Sequence, residues 1–226
     1  MLWNDRLPGV EVAPSLYAAD FSRLGEQVQE LLDVGVRIFH FDVGDGHFVP
    51  PVTVGPIVLQ WISPLVHRGG GLLDCHLMVE HPERHFPAFA EAGGDSVTFH
   101  VEAVTDPAAA IALARGLGLA VGVAFNPETT VETAASAAAD ADVALCMGVH
   151  PGYSGQAFIP ETLPRVEQLR AALPPEVHVE VDGGVGLENV RALREAGARI
   201  LVVGSSLFGE DDPIEAYRAL AAAAGA

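Results

Sequence analysis

The sequence predicts an α/β protein, a (β/α)8 TIM barrel formed as a single domain over residues 1–226. Two observations predict it. Short apolar runs rich in Val, Leu and Ile alternate eight times with segments of helical periodicity, the pattern of a parallel sheet wrapped by helices. Polar side chains and glycines gather at the ends of those runs, where such barrels carry their chemistry. An open doubly wound sheet is the alternative, and it normally carries a Gly-x-Gly-x-x-Gly turn after its first strand. Here that turn reads Pro14-Ser15-Leu16-Tyr17-Ala18-Ala19-Asp20, without a glycine.

Val10 to Ser15 reads as the first buried strand. Asp20 is the expected N-cap of a helix running to Asp33 and closed by Gly35. Arg37 to Val43 is the second strand, followed by a Gly- and Pro-rich loop and a helix from Pro56 to Val66. Leu72 to Met78 is the third, and Pro82 opens a helix that Gly93 and Gly94 end. Ser96 to Val101 is the fourth. Pro107 starts the next helix, where its fixed φ and missing N–H cost nothing. Leu119 to Phe125, Val143 to Val149, Val177 to Asp182 and Arg199 to Val203 complete the strands. Helices from Thr130 to Ala139, Glu161 to Leu173, Leu187 to Ala196 and Pro213 to Ala224 alternate with them.

Composition narrows the function. Twelve Lys+Arg against 30 Asp+Glu leave a net charge of −18. A surface that acidic repels phosphate backbones and anionic lipid, which argues against nucleic-acid and membrane partners. All the basic side chains are arginines, so chemistry that needs a lysine amine is excluded. Cys75 and Cys146 are too few for a disulfide scaffold and suit a reducing cytoplasm. The opening residues MLWNDRLPGV lack the pattern of a signal peptide. Ala108 to Phe125 is almost wholly apolar, but Arg115, Gly116, Gly118 and Gly122 favour an Ala-rich helix and a buried strand over a membrane span.

His40 and Asp42 are two apart on a strand and therefore share a face, with Phe39, Phe41 and Val43 turned outward. An imidazole and a carboxylate inside a barrel need partners. His76 lies on the next strand, and ring closure brings Asp182 of strand seven across the mouth. Two imidazoles and two carboxylates form either a divalent-metal site, for Zn²⁺, Fe²⁺, Mn²⁺ or Co²⁺, or a metal-free hydrogen-bonded cluster. Gly152, Gly155, Gly183, Gly184, Gly204 and Ser205 follow strands six to eight. They either let backbone N–H groups and a helix N-terminus approach a phosphate or simply make tight turns. His100 reads as a satisfied core histidine or a mouth residue, and His47 as loop packing. His67, His81, His85 and His178 read as surface residues. Arg84, Arg165, Arg170, Arg191 and Arg194 fall on helices, solvated or paired with acids.

These residues resemble the ribulose-phosphate 3-epimerase family over nearly the whole chain. The resemblance rests on Ala13-Pro14-Ser15, the run from His40 through Asp45-Gly46-His47-Phe48-Val49-Pro50, Asp74-Cys75-His76-Leu77-Met78, Pro151-Gly152-Tyr153-Ser154-Gly155-Gln156, Val181-Asp182-Gly183-Gly184-Val185 and Gly204-Ser205. It implies a metal-dependent epimerase acting at C3 of a ketose phosphate, D-ribulose 5-phosphate to D-xylulose 5-phosphate, through an enediolate. His40, Asp42, His76 and Asp182 would hold one divalent ion. Asp42 and Asp182 would be the paired acid and base, on opposite faces of the reacting carbon. Ser15 and His76 would touch substrate. Met78 and Met147 would line the pocket with soft, non-titrating walls. Gly152, Tyr153, Ser154, Gly155, Gly183, Gly184, Gly204 and Ser205 would hold the phosphate. Homo-oligomers are frequent in that family, and one is implied here.

The chain departs from the family pattern at Gly44, where Met is usual, at Pro51, at His150, at Tyr153 and Ser154, and at Tyr17-Ala18. Gly44 and Pro51 are expected to widen or reshape the sugar pocket. That keeps a second ketose phosphate, such as D-allulose 6-phosphate, among the candidate substrates. A catalytically silent sugar-phosphate binder would require loss of an acid–base residue, yet both aspartates are present. Related barrels that decarboxylate, and triose-phosphate isomerase, need a lysine that this chain lacks.

Overall fold

The computed structural model describes residues 9–226. The expectations that the domain begins at residue 1 and that no signal peptide precedes it fall partly on residues 1–8, outside the described residues. Eight strands form one parallel sheet: β1 (Glu11–Pro14), β2 (Ile38–Gly44), β3 (Leu72–Met78), β4 (Ser96–His100), β5 (Ala120–Phe125), β6 (Val143–Met147), β7 (His178–Asp182) and β8 (Ile200–Val203). Each pairs with its sequence neighbours, and β8 returns to β1. A single parallel bridge, Ser15 to His40, joins β1 to β2 and completes the ring.

The helices are α1 (Leu24–Asp33), α2 (Pro56–Arg68), α3 (Phe86–Glu91), α4 (Pro107–Gly116), α5 (Val131–Ala138), α6 (Thr162–Ala172), α7 (Val190–Glu195), α8 (Ser205–Phe208) and α9 (Pro213–Ala224). Local chemistry sets their starts. Asp106 accepts from the Ala109 N–H ahead of α4, and Asp212 accepts from Ile214 and Glu215 ahead of α9, each followed by proline. Asp20 behaves differently from expectation. Its carboxylate folds an Asx turn onto the Ser22 N–H and hydroxyl, so α1 begins at Leu24. The short helix α8, directly after β8, had no signature in the sequence. Among the described residues no helix is long and apolar enough to cross a membrane.

Strand alternation divides the core in two. Phe39, Phe41, Val43, Cys75 and Cys146 belong to the large apolar cluster shared with the helices, as their period predicts. Inside the ring, Ala13, Ile38, Ala120, Val143, Ile200 and Val202 form a second cluster. Above its lower members sits a buried polar layer of His40, Asp74, Ser96, Thr98 and Glu180. This layer needs space as well as partners. Gly122 lies opposite Thr98 in the β4–β5 register, and a Cβ on it would collide with the Thr98 hydroxyl oxygen. That hydroxyl donates to Asp74 Oδ1 at 3.2 Å.

Three sequence readings change. His178 is buried at the start of β7 rather than on the surface. Arg165 and Arg170 turn their guanidinium groups onto loop carbonyls, those of Asn126, Pro127 and Thr129 and of Leu173, Pro174 and Val177, rather than onto acids. Carbonyls in turns need donors as much as acids need cations.

Gly122→Ala is expected to lower stability by about 1–3 kcal/mol through overpacking, read as a lower urea midpoint at unchanged slope. An unchanged midpoint would mean that Thr98 has room to move.

Candidate active site

Ser15 caps β1, His40 and Asp42 lie on β2, His76 on β3 and Asp182 at the end of β7. His76 Nδ1 is 3.0 Å from Asp42 Oδ1, 3.2 Å from His40 Nε2 and 3.6 Å from Asp182 Oδ2. His40 Nε2 is 3.3 Å from Asp42 Oδ1 and 3.9 Å from Asp182 Oδ2. Four donor atoms therefore face one point, and all lie within 4.8 Å of one another. Donors bound tetrahedrally at about 2.0–2.2 Å sit roughly 3.3–3.6 Å apart, so this set fits a divalent ion. Its mix of imidazole and carboxylate suits a Zn²⁺-, Fe²⁺-, Mn²⁺- or Co²⁺-like cation.

The outward atoms of Asp42 and His40 have partners of their own. The Ser15 hydroxyl donates to Asp42 Oδ2 at 2.5 Å. His40 Nδ1 faces Asp74 Oδ2 at 3.0 Å and Glu180 Oε1 at 3.3 Å. Asp74 Oδ1 also accepts from the Ser96 hydroxyl at 2.5 Å. A carboxylate on the far nitrogen of a ligand histidine fixes its tautomer and raises its basicity.

Electrostatics follow from dense packing of opposite charge. Burial disfavours charge on every member. At Asp42 it is outweighed by the charges and hydrogen bonds of His40 and His76, which hold the carboxyl well below its usual range. Asp74 is also lowered, by His40 and Ser96 against burial. At His40 burial is outweighed by Asp42, Asp74 and Glu180, which raise it well above an ordinary histidine. His76 is raised to about 9, its burial outweighed by Asp182 and Asp42. Glu180 goes the other way, pushed to about 7 by burial and the neighbouring Asp74 charge.

Above this cluster opens a cavity lined by Ser15, Asp42, Met78, Met147, Gly152, Tyr153, Ser154, Gly155, Asp182, Gly183, Gly184, Gly204 and Ser205. His40 and His76 lie beneath it, fully buried. Gly183 and Gly184 adopt φ of 105° and 66°, conformations a side chain would strain. A Cβ on Gly184 would lie 2.7 Å from the Phe158 backbone. Among the described residues no arginine lines the cavity. Ser154 Oγ leans toward Gly204, 3.2 Å from where a Cβ there would sit.

All the candidate site residues thus gather at one mouth, in the donor cluster or around the cavity over it. Tyr17, Val149, Gln156, Val185 and Val202 also line it. Val202 could have been found from strand alternation, whereas Tyr17 stands on a short 3-10 turn (Leu16–Ala18) and Gln156 on an irregular loop. Gly44 departs from expectation. A Cβ on it would lie 2.7 Å from the Pro51 carbonyl oxygen and 2.9 Å from Val49 Cγ2, and Gly44 does not line the cavity. The cavity wall carries Pro151, not Pro51, which stands in the loop after β2. That loop fills the space beside Gly44, so the missing side chain does not widen the pocket. His47 is exposed on the turn that Asp45 caps. His100 is buried against His76, its pKa lowered to about 4 by burial and the His76 charge, with Glu102 opposing.

Comparison with known proteins shows the family to which the chain belongs. The model of the Ribulose-phosphate 3 epimerase family matches residues 11–208. A ribulose-phosphate 3-epimerase of Bacillus subtilis is 39% identical over 207 residues, covering 90% of this chain and 94% of its own. One from Candida glabrata is 40% identical over 217 residues, covering 90% and 88%. The crystal structure of KGPDC from Streptococcus mutans superposes with TM-score 0.70 at 15% identity, over 96% of this chain and 98% of its own; this shows a shared fold. The family match across almost the whole barrel and the identity to these relatives establish that the chain belongs to the ribulose-phosphate 3-epimerase family of isomerases.

Proposed function

We propose that this protein interconverts D-ribulose 5-phosphate and D-xylulose 5-phosphate by moving a proton at C3, using Asp42 and Asp182 with one divalent metal ion at His40, Asp42, His76 and Asp182. One observation carries the reading. Carboxylates from β2 and β7 enter the same mouth from different parts of the ring and meet at one donor cluster. Inversion of a carbon bearing an acidic proton needs a base on one face and an acid on the other, and two carboxyl groups supply both.

Asp42 would act from the β2 side and Asp182 from the β7 side, one carboxylate taking the C3 proton and the other, protonated, returning one to the opposite face. The Ser15 hydroxyl holds Asp42 in place. Loss of the proton leaves negative charge that spreads to the neighbouring carbonyl oxygen. A divalent ion on the four donors would supply the positive charge that stabilises it. Met78 and Met147 would border the reacting carbons without competing for the proton.

The phosphate would lie against backbone N–H groups around Gly152, Tyr153, Ser154, Gly155, Gly183, Gly184, Gly204 and Ser205. This agrees with a cavity whose rim, among the described residues, carries glycines but no arginine. The Ser154 hydroxyl, leaning toward Gly204, would add a donor. D-Allulose 6-phosphate is the competing substrate, because Ser154 and His150 alter the loop over that end. The chain would act as one domain, as a homo-oligomer, and in the cytoplasm, where its two buried thiols would stay reduced.

D-Ribulose 5-phosphate in D₂O, followed by proton NMR, is expected to lose its C3 signal as xylulose 5-phosphate appears, and to stop doing so after chelation until metal is restored. Exchange that persists without metal would overturn the metal role, and none under any metal would move the substrate to another ketose phosphate. Asp42→Asn and Asp182→Asn are each expected to cut turnover by at least about 10²–10⁴-fold while the circular dichroism spectrum is retained. A substantially active Asp182→Asn would exclude the two-base mechanism. Gly44→Met is expected to cost about 1–3 kcal/mol of stability and to leave the ratio of activities on ribulose 5-phosphate and allulose 6-phosphate unchanged. A shifted ratio would show that position 44 does select the sugar.

A further inference from the structure

We propose that His100 and Glu102 form a positioning relay behind the metal cluster, one that obliges His76 to present Nδ1 rather than Nε2 to the ion. The inference rests on the metal reading above but concerns residues outside the donor set.

His100 ends β4 and is fully buried. Its Nε2 lies 2.8 Å from His76 Nε2. The two rings are inclined by only 22° with centroids 5.0 Å apart. Two imidazole nitrogens at this distance share one proton. With none, two lone pairs face each other, and with two, both hydrogens occupy the same space. His76 Nδ1 is the atom that faces Asp42, His40 and Asp182. A nitrogen that binds a cation carries no proton, so the proton of neutral His76 must sit on Nε2 and be donated to His100.

His100 then carries its own proton on Nδ1, which lies 3.4 Å from Glu102 Oε2, in electrostatic contact but without hydrogen-bond geometry. Glu102 is anchored in turn. Its Oε1 accepts from the Asn126 N–H at 2.9 Å and from the Thr129 hydroxyl, both in the loop after β5. On the other side, the Phe48 ring packs on His100 with centroids 4.8 Å apart. His100 is thus held between the turn after β2 and the loop after β5.

The two ligand histidines are therefore set in opposite senses. His40 turns Nε2 to the ion and Nδ1 to Asp74. His76 turns Nδ1 to the ion and Nε2 to a neutral imidazole. An imidazole acceptor carries no net charge, so it fixes the tautomer without adding an anion to a site that already holds two aspartates.

Purified full-length protein would be titrated with Co²⁺ alone and followed by visible absorption. His100→Phe keeps a ring against Phe48 but removes the acceptor, and is expected to weaken Co²⁺ binding about 10–100-fold with an altered spectrum. His100→Gln keeps an acceptor oxygen and is expected to recover most of that loss. Turnover at saturating metal should fall in His100→Phe with KM little changed. A folded His100→Phe with wild-type affinity and spectrum would overturn the relay while leaving the metal reading intact, whereas wild-type protein that binds no Co²⁺ would overturn both. Should His100→Phe fail to fold, ¹⁵N-histidine NMR of the Zn²⁺-loaded wild type decides. The expected protons are on His76 Nε2 and His100 Nδ1, and any other arrangement would overturn the relay.

Discussion

A closed ring of parallel strands leaves each strand two faces, and a residue's parity decides whether it meets the helices or the axis. Much of this site follows from that constraint. The single bridge from Ser15 to His40 that joins β1 to β2 also sets a hydroxyl beside Asp42. The same closure carries Asp182 of β7 to the histidines of β2 and β3. A shift of one residue in β2 would send Phe39 and Phe41 to the axis and the His40–Asp42 pair into the helix layer. Register is therefore specified by core packing and site geometry together.

Inside the ring the difficulty is charge. His40, Asp74, His76 and Glu180 are removed from water almost completely, and breaking a buried pair by deleting one partner typically costs about 3–5 kcal/mol. The barrel answers with partners in layers. Asp74 takes the far nitrogen of His40 and two hydroxyls, and Gly122 gives up its side chain so that one of those hydroxyls can reach it. Glu180, raised toward neutrality by burial and Asp74, completes the layer with less charge than its type suggests.

The protein's net charge of −18 would repel the anionic substrate proposed for it unless the cavity's lining compensates. Among the described residues its rim has no arginine but is dense in glycine, so fixed backbone dipoles and a bound cation would do what side-chain cations do elsewhere. Arg165 and Arg170 are spent on loop carbonyls, holding the loops that follow β5 and α6.

Much of this was legible in the sequence. Strand–helix alternation determined the barrel, because apolar periodicity of two and of 3.6 are both local signals. Parity on β2 paired His40 with Asp42, and the motifs marked Asp182 and the glycines. Other features depended on contacts between distant segments. Gly44 read as an opening because its sequence neighbours do not reveal that Pro51 and Val49 fold back over it. His178 read as surface, although its strand start is covered. His100 read as core or mouth, and only the β3–β4 register brought its Nε2 to His76. Sequence by itself determined which elements form and which face each side chain takes, since those follow from backbone geometry. Tertiary structure alone decided which atom of each polar side chain meets which partner, because that depends on ring closure and on loops whose path no local rule sets.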